Sequence, residues 1–328
     1  MTTRRAAAAG PSPAPAPLRV AVGIMVYNEE ANLGRLLAAL TGDAPASCVL
    51  ERIVVVSSGS VDRSAHIARE WCERDPRISI IEEPLRRGKA AAVNLFLGSV
   101  PPEVEICALI SADVLPAPGA LDRLVEPFCD PRVGMTGAHP MPTNATDRFL
   151  GRVVHLQWEL HHQVATRRPK LGEAIAFRNV VPRIEPETAV DEAFLEALFA
   201  QHQMRTAYAQ GALVYTHGPE SVVDFVRQRR RIWAGHLWLR RRTGYEVATF
   251  RSRAVLRAAA VRLLRQPGLF PLMTAAAALE AFCRILGSVD VLVRGHNPIV
   301  WDVSPSTKRL GVDGPDGPAR GQPTGARR

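Results

Sequence analysis

The 328-residue chain has few cysteines and few aromatic side chains, and both shortages narrow its possible functions. Its five cysteines (48, 72, 107, 129 and 283) form no Cys-x-x-Cys pair. This argues against a zinc knuckle and a disulfide framework, and it is typical of a reducing compartment. Aromatic residues are only 6% of the chain, and the arginine clusters are not interleaved with stacking rings, so we expect no nucleic-acid partner. No Gly-x-Gly-x-x-Gly follows the first apolar segment, which argues against a dinucleotide oxidoreductase.

A secretory leader and long apolar runs are also missing from the sequence. Residues 1–18 contain an alanine/proline run that is too poor in large apolar residues for a signal core. We therefore expect a disordered leader over 1–18 and a disordered tail over 311–328. No stretch reaches the ~18 uninterrupted apolar residues of a membrane-spanning helix. These features favour a cytoplasmic protein.

Positive charge is abundant, with a formal net charge of +9 and a sequence pI near 9.9. Such a surface favours anionic partners, for example nucleotide phosphates or acidic lipid. Lysine occurs only at positions 89, 170 and 308, and arginine supplies the planar, bidentate geometry that suits phosphate. The 47% hydrophobic content is enough for a large core in one or two domains.

Four apolar segments in the first third of the chain each end in a polar turn. They cover residues 20–26, 53–56, 78–81 and 107–112, and the last one stops at Asp113. Segments with helical spacing lie between them at 31–40, 64–74 and 89–97. A β-α-β-α order predicts an α/β fold with a mostly parallel sheet and right-handed crossovers. Because such sheets bind ligands at the carboxyl ends of their strands, the polar turns predict a nucleotide site.

The remainder of the chain predicts a more mixed pattern. We expect helices at 116–129, 147–166, 191–203, 225–242 and 252–265, and short strands at 134–138 and 212–215. The helix at 252–265 is basic and amphipathic, so it suits either an anionic membrane surface or a core contact with a solvated arginine face. We expect one domain over 19–245, followed by a helical extension over 246–310 whose association with a membrane stays open.

Polar side chains recur in a fixed order along residues 19–240. The series consists of Tyr27, Asn28 and Glu29; Ser57 and Ser58; Lys89; Ser111 and Asp113; Asp191 and Glu192; His217; and Gln228, Arg231 and Trp233. Taken singly, several of these groups also suit ordinary helix caps, since acids favour the first turn of a helix. Their order is more informative than any single motif.

The ordered series resembles the inverting family 2 glycosyltransferases, which have the Rossmann-like GT-A fold. The resemblance implies that a nucleotide-sugar contacts the turn at Tyr27, Asn28 and Glu29, the serines at 57, 58 and 111, Lys89, Asp113, Gln228, Arg231 and Trp233. It implies Glu192, beside Asp191, as the general base that takes a proton from a hydroxyl acceptor. It further implies Mn²⁺ or Mg²⁺ on Asp113, with His217 as either a second ligand or a structural histidine.

Several positions depart from the family pattern. Ser57 and Ser58 replace acids near the nucleobase, Ser111 replaces the first acid of the Asp-x-Asp motif, and Ile232 is inserted before Trp233. Two functions therefore remain open. One is sugar transfer to a hydroxyl acceptor, including a lipid-linked acceptor at the inner face of the cell membrane. The other is nucleotide-sugar binding without catalysis.

Overall fold

The computed structural model describes residues 16–250, 252–295, 297 and 299. Most of the leader predicted over 1–18, the end of the predicted extension and the tail predicted over 311–328 lie outside the described residues. The first strand begins at Leu18, where the predicted leader ends.

The first half of the chain alternates strands and helices as predicted. The elements are β1 (Leu18–Val26), α1 (Leu33–Gly42), β2 (Cys48–Ser58), α2 (Ser64–Arg74), β3 (Ile78–Glu83), α3 (Lys89–Ser99) and β4 (Ile106–Ile110). β1 to β4 pair in parallel. Their side chains are apolar on both faces because helices cover the sheet on both sides, as in other parallel sheets.

The second half contains β5 (Val114–Pro116), α4 (Ala120–Val125), β6 (Val133–Pro142), α5 (Phe149–Ala165), β7 (Ala174–Arg178), α6 (Asp191–Gln201), β8 (Arg205–Thr216), α7 (Val222–Thr243), α8 (Ser252–Arg265) and α9 (Phe270–Leu292). Short 3₁₀ turns occur at Glu126–Cys129, Ala248–Phe250 and Pro267–Leu269. Strands β5 and β7 were not predicted from the sequence, whereas α9 lies within the helical extension predicted over 246–310.

The strands form one eight-stranded sheet in the order β3-β2-β1-β4-β7-β6-β8-β5. β7 is antiparallel to both β4 and β6, and β5 is antiparallel to β8. The predicted α/β class with flanking helices is confirmed, and the sheet is parallel from β3 to β4 and mixed beyond it. One close approach shows how tightly the helices pack on it, because a Cβ at Gly23 would lie 2.7 Å from the ring of Phe96.

The last two helices pack on the domain through ion pairs. Arg229 of α7 pairs with Glu280 of α9 at 2.8 Å, and Arg262 of α8 lies 2.6 Å from Glu159 of α5. One face of α8 packs on the domain, because Ala258 is buried in a cluster with Val164 and Ala248. Leu256 and Leu264 lie on the exposed side, at 66% and 84% exposure. Both alternatives for residues 252–265 therefore remain open.

The segment Pro267–Leu292 is long and apolar enough to cross a membrane, judged by length and composition, and only 17% of its most apolar window is buried. The sequence criterion of an uninterrupted apolar run is not met here, because Glu280 and Arg284 interrupt the segment. These two charges pair with each other at 2.9 Å.

Candidate functional site

A cavity of about 1490 Å³ opens at the carboxyl ends of β1, β2 and β4. The sheet edge and α6 contribute polar lining residues, whereas α8 and α9 contribute mainly apolar ones. Of the positions singled out in the sequence, those lining the cavity are Tyr27, Glu29, Ser58, Lys89, Ser111, Asp113, Asp191, Glu192, His217, Gln228 and Arg231. Asn28, Ser57 and Trp233 are not part of this lining.

The turn after β1 presents Tyr27 and Glu29 to the cavity. The guanidinium carbon of Arg86 lies 4.0 Å from the centre of the Tyr27 ring, which places a cation at this edge. Asn28 has a φ of 53°, and its Oδ1 accepts a hydrogen bond from the Val61 N–H at 2.9 Å. Asn28 therefore joins the turn after β1 to the turn after β2.

The two serines after β2 differ in their surroundings. Ser58 lines the cavity, and its hydroxyl donates to Glu83 at 2.5 Å. Ser57 is buried and its hydroxyl bonds that of Ser60 at 3.1 Å. Glu83, the partner of Ser58 in the β2–β3 register, also pairs with Arg87 and does not line the cavity. A carboxylate is thus present beside Ser58, but it is held by protein groups.

Asp191 and Glu192 begin α6, where the positive end of the helix dipole favours acidic side chains. Lys89 lies between them, with its Nζ 2.5 Å from Glu192 Oε1 and 3.1 Å from Asp191 Oδ2. α3 supplies the lysine and α6 the acids, so the contact joins elements that are far apart in sequence.

Asp191 and Glu192 have very different pKa values, although both contact Lys89. Burial, and then the charge of Glu192, raise the pKa of Asp191 to about 7. Burial also acts to raise the pKa of Glu192, but Lys89 outweighs it and lowers that pKa to about 2. Asp191 therefore has the pKa that suits a general base near neutral pH, whereas the sequence resemblance assigned that role to Glu192.

Ser111 and Asp113 follow β4 and both line the cavity. Opposite them lies Glu173, which precedes β7 and also lines the cavity. Burial, followed by the charges of Asp113 and Glu192, raises the pKa of Glu173 to about 8. Sequence reasoning assigned no chemistry to Glu173. Residues 172–178 resemble a stretch that lines the acceptor side of the cleft in the family, but the sequence does not reveal which residues pair across the sheet.

α7 brings Gln228 and Arg231 to the cavity wall. Burial lowers the pKa of Arg231, while the charges of four carboxylates act to raise it: Glu192, Asp191, Glu173 and Asp113. The structure thus brings residues 113, 192 and 231 together at a single cavity that carries several acids and a guanidinium.

Trp233 lies against α9 instead of the cavity. Its ring stacks on Phe250 with centroids 4.6 Å apart, and its Nε1–H donates to Ser288 at 2.9 Å. The inserted residue explains this position, because each added residue rotates a helix by about 100°. Ile232 takes the place on the cavity wall next to Arg231.

His217 lines the cavity and is largely buried. Its Nδ1 lies 3.0 Å from Thr143 Oγ1 and its Nε2 lies 3.3 Å from Glu220 Oε1. Both ring nitrogens are therefore engaged by side chains, so binding of a cation would require one of these contacts to break.

The acids fit a divalent cation that is held mainly by its substrate. Asp113 and Glu173 offer the oxygen donors that Mn²⁺ and Mg²⁺ prefer. No group of three or more His, Cys, Asp or Glu among the described residues could hold a metal by itself. The donor set therefore suits a cation that also takes phosphate and water oxygens.

Residues 21–181, just under half of the chain, match the sequence model described as Glycosyl transferase family 2. The chain is 24% identical over 256 residues to an N-acetylglucosaminyltransferase of Rhizobium meliloti (strain 1021), covering 70% of this chain and 58% of that protein. It is 31% identical over 118 residues to a pre-mycofactocin glycosyltransferase of Mycobacterium tuberculosis (strain CDC 1551 / Oshkosh), covering 35% of this chain and 22% of that protein. The chain thus spans less than two thirds of the length of these curated relatives.

The fold is similar to that of a mannosyltransferase from Pyrobaculum calidifontis, whose structure was solved in complex with GDP-Man and Mn²⁺. The TM-score is 0.57 with 22% sequence identity, over 86% of this chain and 82% of that one. At this identity the likeness concerns the fold, and it agrees with the sheet and cavity described above. Over residues 21–181 the chain is therefore similar to glycosyl transferase family 2.

Proposed function

We propose that the chain transfers a sugar from a nucleoside-diphosphate sugar to a hydroxyl acceptor, with inversion by direct displacement. The observation that carries this proposal is the shared cavity at the strand ends, lined by Asp113, Asp191, Glu192 and Arg231. A transfer of this kind needs a base at the acceptor and positive charge at the leaving diphosphate. This one cavity contains candidates for both.

The acid pair at the start of α6 supplies the base. In the observed arrangement Asp191, with a pKa of about 7, is better suited than Glu192 to accept the acceptor proton. Glu192 becomes a base only when Lys89 leaves it, and an anionic diphosphate at the sheet edge competes for that lysine. Glu192, Asp191 and Lys89 therefore form one unit whose proton affinity depends on the bound donor.

Positive charge at the diphosphate comes from Arg231, Lys89 and Arg86, which all line the cavity. Asp113 would hold Mn²⁺ or Mg²⁺, and the cation when bound neutralises charge that develops on the leaving diphosphate. The mannosyltransferase with a similar fold, which was solved with GDP-Man and Mn²⁺, supports this choice of ligands. Tyr27, Glu29 and Ser58 then lie next to the nucleoside of the donor.

The acceptor end of the proposal rests on α8 and α9. Their contribution to the lining is largely apolar and includes Val255, Leu256, Leu263, Phe270 and Met273. A sugar acceptor alone does not need such a wall, whereas a lipid-linked hydroxyl acceptor does. Leu264 of α8 and Phe282 and Ile285 of α9 are exposed, and α8 also carries several arginines. Together they suit a protein that rests on the anionic inner face of the cell membrane.

A thermal-shift screen tests donor binding. Nucleotide-sugars with uridine and guanosine bases are compared with and without Mn²⁺, because the serines at 57 and 58 leave the base preference open. A donor at 100 times its Kd stabilises the folded protein by about 2.7 kcal/mol. If no nucleotide-sugar raises the melting temperature, the proposal is refuted.

The catalytic part is tested with the double variant Asp191→Asn/Glu192→Gln. We expect it to bind the nucleotide-sugar and to lose transfer, and NMR of the wild-type product should show an inverted anomeric centre. Unchanged transfer by the variant would contradict the role of the acid pair. Donor binding by the wild type without transfer to any acceptor would instead support the non-catalytic alternative.

A further inference from the structure

The β4–β7 ladder places Glu173 directly opposite Ser111. The register pairs Ile110 with Ala174, and one step further the Ser111 N–H donates to the Glu173 carbonyl oxygen at 2.9 Å. The two backbones are thus joined at this point, and Asp113 lies close enough for its charge to act on Glu173. Position 111 lacks the first acid of the Asp-x-Asp motif, but Glu173 supplies a carboxylate on the neighbouring segment.

We propose that Glu173 provides the second protein carboxylate for the divalent cation and thereby replaces the acid missing at position 111. The inference rests on the proposed function, since the cation is the one that accompanies the donor diphosphate. Asp113 then binds it from the turn after β4 and Glu173 from the residue before β7, instead of both from one motif.

The surroundings of Glu173 distinguish it from a structural acid. It lines the same cavity as Asp113, and its backbone has a φ of 61°. This left-handed conformation is costly for a residue with a side chain, and such strain persists mainly at functional sites. Within the described part of the chain, no hydrogen bond or ion pair engages its carboxylate.

Glu83 provides a contrast inside the same protein. Glu83 lies opposite Ser58, as Glu173 lies opposite Ser111. Each of these two serines, which stand where the family has an acid, therefore has a glutamate on the neighbouring segment. Glu83 is held by Ser58 and Arg87 and does not line the cavity. Only Glu173 therefore has both the position and the access that a metal ligand needs.

Charge also favours a cation here. Asp113 and Glu192 lie close enough to Glu173 for their charges to act on it, although Lys89 already compensates Glu192. A divalent ion between Asp113 and Glu173 removes their repulsion. Two carboxylates, diphosphate oxygens and water then complete a shell of about six oxygens, as is usual for Mg²⁺ and Mn²⁺.

The test uses the full chain and measures Mn²⁺ binding by electron paramagnetic resonance, in the presence of the nucleoside diphosphate that stabilises the wild type most. We expect Glu173→Gln to weaken Mn²⁺ binding by roughly tenfold or more. Adding an acid at the motif position, in Ser111→Asp/Glu173→Gln, should restore most of the affinity. Glu82→Gln is the matched control, because Glu82 is an exposed acid paired with Arg69, and its Mn²⁺ affinity should equal that of the wild type.

The outcomes separate this inference from the proposed function. If Glu173→Gln binds Mn²⁺ as the wild type does, or if the double variant fails to regain affinity, the role of Glu173 is refuted. If the wild type binds the nucleotide with no Mn²⁺ at all, the inference fails and the proposed donor site survives. If neither ligand binds, both fail. Circular dichroism and an unfolding curve for each variant exclude loss of folding as the cause.

Discussion

Removal of Lys89 is the most informative perturbation of the acid pair. In Lys89→Met the carboxylates of Asp191 and Glu192 lose the cation that lies 3.1 and 2.5 Å from them. The pKa of Glu192 is lowered from 4.5 to about 2 in the wild type, and at ~1.4 kcal/mol per pKa unit this corresponds to about 3 kcal/mol. Loss of one partner from a buried ion pair costs about 3–5 kcal/mol, which is a consistent magnitude.

The cost should depend on pH in a defined direction. Without Lys89 the pKa values of both acids rise, and so the folded state binds protons that the unfolded state has released. A group whose pKa is higher in the folded state than in the unfolded state contributes less stability as pH rises between those two pKa values. Urea unfolding at pH 5 and pH 8 should therefore show a larger loss for Lys89→Met at pH 8.

A control and a rescue make this prediction specific. Burial lowers the pKa of Lys170, so this cavity lysine is less well compensated, and Lys170→Met should cost much less than Lys89→Met. Combining Lys89→Met with Asp191→Asn and Glu192→Gln should recover most of the lost stability. A loss below about 1 kcal/mol that is independent of pH would refute the coupling of Lys89 to the acid pair.

Three further predictions concern the C-terminal helices. Burial acts to raise the pKa of Glu280, but Arg229 lowers it to about 2. The stability that this carboxylate contributes is therefore present above pH 4.5 and lost toward pH 2, so urea unfolding should show Glu280→Gln destabilised at pH 7 and closer to the wild type at pH 3. An equal loss of stability at both pH values would contradict this. Trp233→Phe should cost about 1 kcal/mol, through the lost hydrogen bond to Ser288, while calorimetry shows nucleotide affinity within about twofold of the wild type; a tenfold weaker affinity would support the cavity position that the motif implies. Leu264→Ser/Phe282→Ser should reduce sedimentation with anionic vesicles, and a wild type that does not sediment with them would refute the membrane-surface proposal.

Local patterns predicted much of the fold. The predicted helices at 64–74 and 252–265 agree with the observed bounds, because helical spacing and polar boundaries are local properties. The turns of the parallel half were also predicted, since carboxyl ends of parallel strands meet at one edge. The turns therefore predict Asp113 and Lys89 at the sheet edge where the cavity lies.

The parts of the fold and the site that the sequence did not predict depend on pairing between distant segments. The antiparallel insertion of β7 between β4 and β6 sets Glu173 opposite Ser111, and no sequence period encodes that register. Trp233 lies away from the cavity, unlike the position that the family motif implies, because one inserted residue rotates the helix. The ion pair of Lys89 with Glu192 joins residues 103 positions apart, and it reverses which acid has the higher proton affinity.

A crystal structure of the full chain with Mn²⁺ and the nucleotide-sugar that binds best would test the central claim directly. We predict density for the diphosphate in the cavity beside Arg231, for the cation between it and Asp113, and for the sugar carbon facing the acid pair of α6. A nucleotide-sugar bound elsewhere on the molecule, with Asp113, Glu192 and Arg231 making no contact to it, would contradict the account.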